Sequence, residues 1–361
     1  MTVFTPSSED FLHRYLTNAS PTGFEAPGQQ IWADYMRPFV DELRQDNYGT
    51  VYGVINPESD FRVVIEAHAD EISWFVSHIS KEGFIGVIRN GGSDHLIAPS
   101  KVVHLHGEKG LVKGVFGWPA IHTRHGKNAD LKPEIENIFI DIGAKDEAEV
   151  AEMGVFVGTV ITYPDESWTM NDRYIVGRAL DNRMGGFCIA QVARLLKENK
   201  VTLPFGLYIV NSVQEEIGLR GAEMITQTIK PHVAIVTDVT HDTSTPLMNP
   251  RTQGVCKAGD GPELTVAPSV HNKLLKIVMD TAKAKEIPFQ RSASSRSTGT
   301  DTVAFAFSNG GVPSVLISLP LRYMHTTVEA AHKLDIENVS KLIYETLLNI
   351  EYKHNFKYLD L

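Results

Sequence analysis

The stretch LPFGLYIVNSVQEEIGLRG, from Leu203 to Gly221, decides how the rest of the chain is read. Phe205 to Val213 is apolar, rich in β-branched and aromatic residues, and too short to span a membrane, which reads as a buried strand. Two adjacent glutamates, Glu215 and Glu216, follow directly, and Gly218, Arg220 and Gly221 open a helical segment. In a sheet alternating with helices, ligands bind beyond the carboxyl ends of the strands. Two carboxylates held together there repel one another unless a cation or a shared proton relieves them. Alone, a Glu-Glu pair is an ordinary solvated turn. Its repetition along the chain changes that reading.

Working outward, the buried run Arg62 to Ala67 ends at His68-Ala69-Asp70, and Tyr174 to Leu180 leads into Asp181-Asn182-Arg183. Gly185-Gly186 then opens a helix with Ile189, Val192, Leu195 and Leu196 inward. His232 to Thr237 ends on Asp238, and Val312 to Leu319 leads into Arg322-Tyr323-Met324-His325. Helical spacing also predicts helices after Ser7-Ser8-Glu9-Asp10, through Ile31 to Met36, from Asn272 to Lys285, and from near Asp335 onward. Between these βα units, Glu71 to Tyr163 has a different texture, with short alternating runs broken by Lys81-Glu82-Gly83, Gly91-Gly92 and Gly107-Glu108-Lys109-Gly110. That is the pattern of hairpins, with one short helix expected from Asp146 to Met153. The fold class expected is α/β, a mixed sheet flanked by helices with an inserted small β-rich domain. Residues 1–70 and 164–361 form the sheet-bearing domain and residues 71–163 the insertion.

A chain of 361 residues can bury a large core. A net charge of −10 lacks the basic footprint that phosphate backbones require, so no nucleic-acid partner is expected. The only cysteines, Cys188 and Cys256, are too few for a disulfide framework. No signal peptide and no run of roughly 18 apolar residues is present, so the expectation is a cytoplasmic protein without a membrane partner.

The strand ends deliver His68, Asp181, Glu216, Asp238 and His325. Two imidazoles and three carboxylates without a thiolate suit zinc, cobalt or manganese, whereas calcium prefers oxygen alone. Five ligands exceed one open tetrahedral site but suffice for two divalent metal ions sharing a bridging carboxylate. Such a pair polarises a carbonyl and lowers the pKa of water to about 7. Glu215 is the free carboxylate to accept a proton from that water. Asp70 is placed to accept the other ring N–H of His68 and set its tautomer. His95, His104, His106, His122 and His125 lie in the insertion. His104 and His106 share a strand face, though strand histidines are more often hydrogen-bonded than ligating.

Ala67-His68-Ala69-Asp70-Glu71-Ile72, Ala179-Leu180-Asp181-Asn182-Arg183, Gln214-Glu215-Glu216-Ile217-Gly218-Leu219-Arg220-Gly221, Thr237-Asp238-Val239-Thr240, Gly299-Thr300-Asp301 and Arg322-Tyr323-Met324-His325 occur in this order. With Ser20 to Glu25 at one end and the last helix at the other, the chain resembles the metallo-aminopeptidases of the glutamyl-aminopeptidase and TET type, the M-forty-two group. The resemblance implies Asp181 as the bridging ligand, His68 and Asp238 completing one metal site, Glu216 and His325 the other, and Glu215 as general base. It also implies a cis Asp181-Asn182 peptide, short peptide substrates, a dimerisation role for the insertion, and a homo-oligomer, a dodecamer built from dimers. Thr302 and Ser73 depart from the alanine and glycine usual in the group, and neither is among the implied ligands.

Three other readings compete. A glycoside hydrolase (endoglucanase) uses two carboxylates and no metal, which leaves His68, His325 and Asp181 without a role. A metal-dependent carboxypeptidase or deacylase shares a similar metal site. A non-catalytic metal-binding scaffold has no use for Glu215. For the substrate's first residue, Arg291 and Arg296 before Gly299 could attract an acidic side chain or simply be solvated.

Overall fold

The computed structural model describes residues 1–126, 129–359 and 361. Its larger unit is an eleven-stranded mixed sheet flanked by helices, the α/β class expected. Four strands at its centre run parallel, in the order Gly206–Ser212, Arg62–His68, Val233–His241 and Ser314–Arg322. Each contains a short uninterrupted apolar run, such as Val63-Val64-Ile65 or Val315-Leu316-Ile317, because both faces are covered. The Gly206–Ser212 strand is buried at every position.

The hairpin Glu42–Gln45 and Val51–Ile55 extends one edge antiparallel to Gly206–Ser212. Glu329–His332, Tyr174–Gly177 and Ser167–Met170 extend the other. Two short strands, Glu263–Val266 and Gln290–Ala293, attach beside Ser314–Arg322.

The helix Leu180–Glu198 is buried through its first seventeen residues, Leu180 to Leu196, and packs across the sheet centre. It begins earlier than the glycine pair suggests. Asp181 and Asn182 are non-helical at its start, and the peptide between them is cis. The first helix, Pro6–Leu16, has Thr5 as its N-cap in a reciprocal box with Ser8. Lys333–Leu347 closes the core, with Ile336, Val339, Leu342 and Ile343 fully buried.

Residues between Ser73 and Thr162 form a closed six-stranded antiparallel barrel. It has its own core around Trp74, Val103, Leu105, Phe116, Ile140 and Ile161, and this core shares no residue with the sheet's. The short helix expected here runs from Glu147 to Glu152, with the Asp146 side chain accepting from the Glu149 N–H.

Both chain crossings into the barrel pass one buried ion network. The Glu71 carboxylate pairs with Arg178 and, at 2.9 Å, with Arg183, while Arg178 also pairs with Asp165. Glu71 further accepts from the Ser20 N–H at 2.7 Å. Among the described residues no helix is long and apolar enough to cross a membrane.

Candidate metal centre

Because the parallel strands point the same way, their carboxyl ends meet in one cleft of about 520 Å³. His68 is the last residue of its strand and is almost wholly buried. Its Nε2 lies 3.1 Å from Asp181 Oδ1, 3.7 Å from Asp238 Oδ1 and 3.9 Å from Glu215 Oε2. His325 Nε2 lies 3.3 Å from the other Asp181 oxygen, Oδ2, and 3.4 Å from Glu216 Oε2. One carboxylate therefore faces two imidazoles, one per oxygen. Two groups result, His68–Asp181–Asp238 and Asp181–Glu216–His325, each with its donor atoms within 4.8 Å of one another.

The five expected ligands, with Glu215 and Asp70, all lie in or against this cleft. Asp238 differs in local placement. Its strand continues to His241, so Asp238 projects from within the strand rather than from its end. His104 and His106 stay in the barrel, where His106 Nε2 lies 2.9 Å from Thr162 Oγ1.

The main chain is bent to aim these groups. Ala179, Gln214, Leu219, Tyr323 and His325 all have φ between 56° and 61°. Left-handed backbone at non-glycine residues costs of order 1–3 kcal/mol and concentrates at functional sites. Asp70 is one device that holds it. Its carboxylate accepts the Glu215 N–H at 3.0 Å, the Glu216 N–H at 3.3 Å and the Thr22 hydroxyl at 2.8 Å. His68 Nδ1 lies 3.2 Å from the Asp70 carbonyl and 3.4 Å from its Oδ1. Gly221 permits the turn after the glutamates, because a Cβ there would sit 2.2 Å from the Val213 carbonyl oxygen.

Three supports escaped the sequence reading. Glu329, fully buried, accepts the N–H groups of Leu180 at 2.7 Å, Asp181 at 3.1 Å and His325 at 2.6 Å. It thereby ties the two halves of the cleft together. Thr22 orients Asp70 from the N-terminal segment. Gly92, from the loop after the barrel strand Ile85–Asn90, lines the cleft, and a Cβ there would sit 2.7 Å from His325 Nδ1. Glu329 stands only four residues beyond His325, which was the available clue. Nothing local marks the other two.

The electrostatics test whether cations suit the site. Burial pushes the Glu215 carboxyl up to about 10 and Glu216 to about 7, and it also raises Asp238. Burial opposes protonation of His325, yet hydrogen bonding to Asp181 and Glu216 carries it up to about 11. Asp181 falls below the usual carboxylate range against its burial, because both imidazoles donate to it. Left to its own charges, the cleft neutralises carboxylates with protons and histidines. Glu216 Oε1 is buried without a hydrogen-bond partner. Hard oxygen and imidazole donors with excess negative charge fit divalent cations of the zinc, cobalt or manganese kind.

The fold and cleft are those of a peptidase. A TET aminopeptidase from a marine sediment archaeon of the Thaumarchaeota superposes with a TM-score of 0.88, at 30% identity over 96% of this chain and 99% of that one. A Pyrococcus horikoshii TET peptidase, described as assembling into a tetrahedron or a large octahedral shell, gives a TM-score of 0.80 at 25% identity, covering 94% of this chain and 98% of that one. The lysyl aminopeptidase of Pyrococcus furiosus is 32% identical over 339 residues, 92% of this chain and 94% of its own length. The M42 glutamyl aminopeptidase family model matches residues 49–342, and the chain belongs to that family. It is an aminopeptidase, a hydrolase of peptides.

Proposed function

We propose that the chain removes N-terminal residues from short peptides with two divalent cations, zinc foremost and cobalt or manganese as alternatives. Asp181 would lie between them, His68 and Asp238 would complete one set of ligands, and Glu216 and His325 the other. The observation that carries this reading is the two-sided Asp181 carboxylate, 3.1 Å from one imidazole and 3.3 Å from the other. When bound, such a pair polarises the scissile carbonyl, acidifies the attacking water and offsets the crowded carboxylates.

The chain's own groups do the rest. Glu215 stands beside His68 without belonging to either donor group. It takes the proton of the attacking water and delivers it to the leaving amine. Asp70 acts as a positioning residue, fixing the main chain of both glutamates and the orientation of His68. Glu329 does the same for Asp181 and His325.

Assembly is the second part of the proposal. The barrel serves contacts between copies of the chain, in a dimer-based homo-oligomer of the dodecameric kind. In support, exposed Phe24, Phe156 and Val157 border a groove of about 780 Å³ between the N-terminal segment and the barrel.

An aminoacyl chromogen, an N-blocked peptide and a cellulosic substrate, each assayed with and without chelator, test the chemistry. Only the free N-terminus should be cleaved, with activity lost to the chelator and regained with zinc, cobalt or manganese. Chelator-resistant turnover, or cleavage of either other substrate instead, overturns the proposal.

A further inference from the structure

A side pocket of about 220 Å³ opens from the cleft. The two share Val239, Thr240, His241, Thr298 and Thr300 in their walls. The pocket's far wall comes from the short strands Glu263–Val266 and Gln290–Ala293, which the sequence reading did not anticipate. Sheet register sets what faces into it. Asp238 pairs with Ser318 on the next strand, and Ser318 pairs with Glu263 on the strand beyond. Residues in one row across neighbouring strands project from the same face, and two strand spacings put Glu263 about 10 Å from Asp238. The next row is also polar, since the Thr265 and Ser292 hydroxyls bond at 2.9 Å.

Glu263 is thus a carboxylate in the wall of a pocket whose lining also carries the hydroxyls of Thr240, Thr265, Ser292 and Ser318. It is only 8% exposed. One of its oxygens accepts a 3.2 Å bond from Thr240 Oγ1, and the Cys256 thiol also lies against the carboxylate. Among the described residues no lysine, arginine or histidine pairs with it, and the pocket lining includes neither lysine nor arginine. The two arginines weighed above for an acidic first residue are elsewhere. Arg291 turns to the Met279 sulfur at 3.2 Å, on the strand face opposite Ser292, and Arg296 borders neither cavity.

We propose that this pocket receives the side chain of the substrate's N-terminal residue, and that Glu263 selects a basic one, lysine or arginine, by pairing with its cationic end. The inference rests on the aminopeptidase reading above. A peptide held with its scissile bond at the carboxylate cluster has its first side chain directed along the row toward Glu263. The four-carbon stem of lysine and the side chain of Glu263 together cover that interval and bring ammonium and carboxylate into contact. A branched apolar side chain leaves Glu263 without a cation, and an acidic one meets a like charge. Rejection of the wrong substrate then follows from a buried group left unpaired.

The test is a panel of aminoacyl p-nitroanilides bearing Lys, Arg, Leu, Ala and Glu, read as kcat/KM on the wild type, Glu263→Gln and Glu263→Asp. The wild type should favour Lys and Arg. Glu263→Gln, which keeps the shape and removes the charge, should lower the Lys-to-Leu ratio about 10²-fold. Glu263→Asp should keep the order of preference, which distinguishes charge recognition from a packing role and serves as the readout if the amide variant does not fold. An active wild type that prefers Leu or Glu, or an unchanged ratio in folded Glu263→Gln, overturns this inference and leaves the aminopeptidase reading standing. A wild type inactive on every member of the panel overturns both.

Discussion

The parallel centre of the sheet and the closed barrel solve the burial of β-strands in opposite ways. Gly206–Ser212 is buried at every position and Arg62–His68 at all but the first, so neither has a solvent face on which to carry polar groups. In the barrel, Val102–Gly107 and Gly110–Gly117 alternate between inner and outer residues, and their polar side chains are dispersed over the outside. A parallel strand covered on both faces must put its ionisable residues near one end, and parallel neighbours bring those ends together. Among the described residues, both groups with metal-ligand spacing lie in the sheet's cleft and none in the barrel, despite six histidines between Ser73 and Thr162. The chemistry follows the strand arrangement, and histidine content by itself does not predict it.

The largest expected effect lies wholly on the sheet side. Glu215→Gln keeps the side chain's shape but removes the proton acceptor, so turnover should fall about 10²–10⁴-fold or more. Metal content and particle mass should not change. Glu216→Gln should instead lose metal from one site, with partial recovery of activity in excess metal. Metal analysis beside kinetics checks both. If Glu215→Gln lost metal and regained activity on metal addition, the two roles would have to be exchanged.

The next effect is on the join between the regions. Arg178 is buried between Glu71 at the entry to the barrel and Asp165 at its exit. Removing one partner of a buried ion pair costs about 3–5 kcal/mol where the other charge is left uncompensated, and since Arg183 still faces Glu71 the loss here should fall at or below the low end of that range. Arg178→Met should lower the melting temperature and separate the barrel's unfolding from the sheet's in a calorimetric scan. A single transition at the wild-type temperature would mean that the two cores are coupled by other contacts.

Legibility from the sequence followed the same division. The four central strands could be read because full burial leaves a short apolar run in each, and the polar residues at or just after the ends of those runs announced the cleft. Asp238 was found although its strand runs three residues further, since the apolar run stops there and Val239 to His241 are held by pairing with Leu319 to Leu321. The barrel was legible as hairpins but not as a closed structure. Closure depends on Trp74 and Phe75 pairing with Ile161 and Val160, and no local pattern records that long-range contact. Glu263–Val266 and Gln290–Ala293 are four residues each, too short for period or propensity to distinguish them from loop. Glu329 and Thr22 were missed because their partners are backbone N–H groups and a carboxylate distant in sequence.

A smaller effect crosses from the barrel to the cleft. Gly92 belongs to a barrel loop, yet its missing side chain is what leaves room for His325. An alanine Cβ would approach the imidazole to 2.7 Å, well inside contact distance. His325 is held through its main chain by Glu329, so the ring must tilt. Misplacement of about 1 Å in a catalytic constellation can cost up to 10²-fold. Gly92→Ala, a partial displacement, should therefore lower kcat about 10-fold at an unchanged melting temperature. Activity equal to the wild type would show that the ring accommodates the methyl group without moving.

The smallest effect on chemistry should accompany the largest effect on particle size. Val157 is 67% exposed and Phe24 49%, on opposite sides of the groove between the N-terminal segment and the barrel. Neither touches the cleft, and neither carries a buried polar partner whose loss would unfold the chain. If copies of the chain meet there, a charge placed on this apolar surface must be desolvated in the contact, at a cost of several kcal/mol that the separated chain avoids. The double variant Phe24→Ser with Val157→Glu should thus yield a smaller particle by light scattering, while turnover per chain on a single aminoacyl substrate stays within about twofold, as for a surface substitution away from the site. An unchanged mass would remove this groove from the assembly and leave the rest of the barrel to be tested. A smaller particle that had also lost turnover would show that the cleft depends on a neighbouring copy, and the division between a chemical sheet and an assembling barrel would then fail.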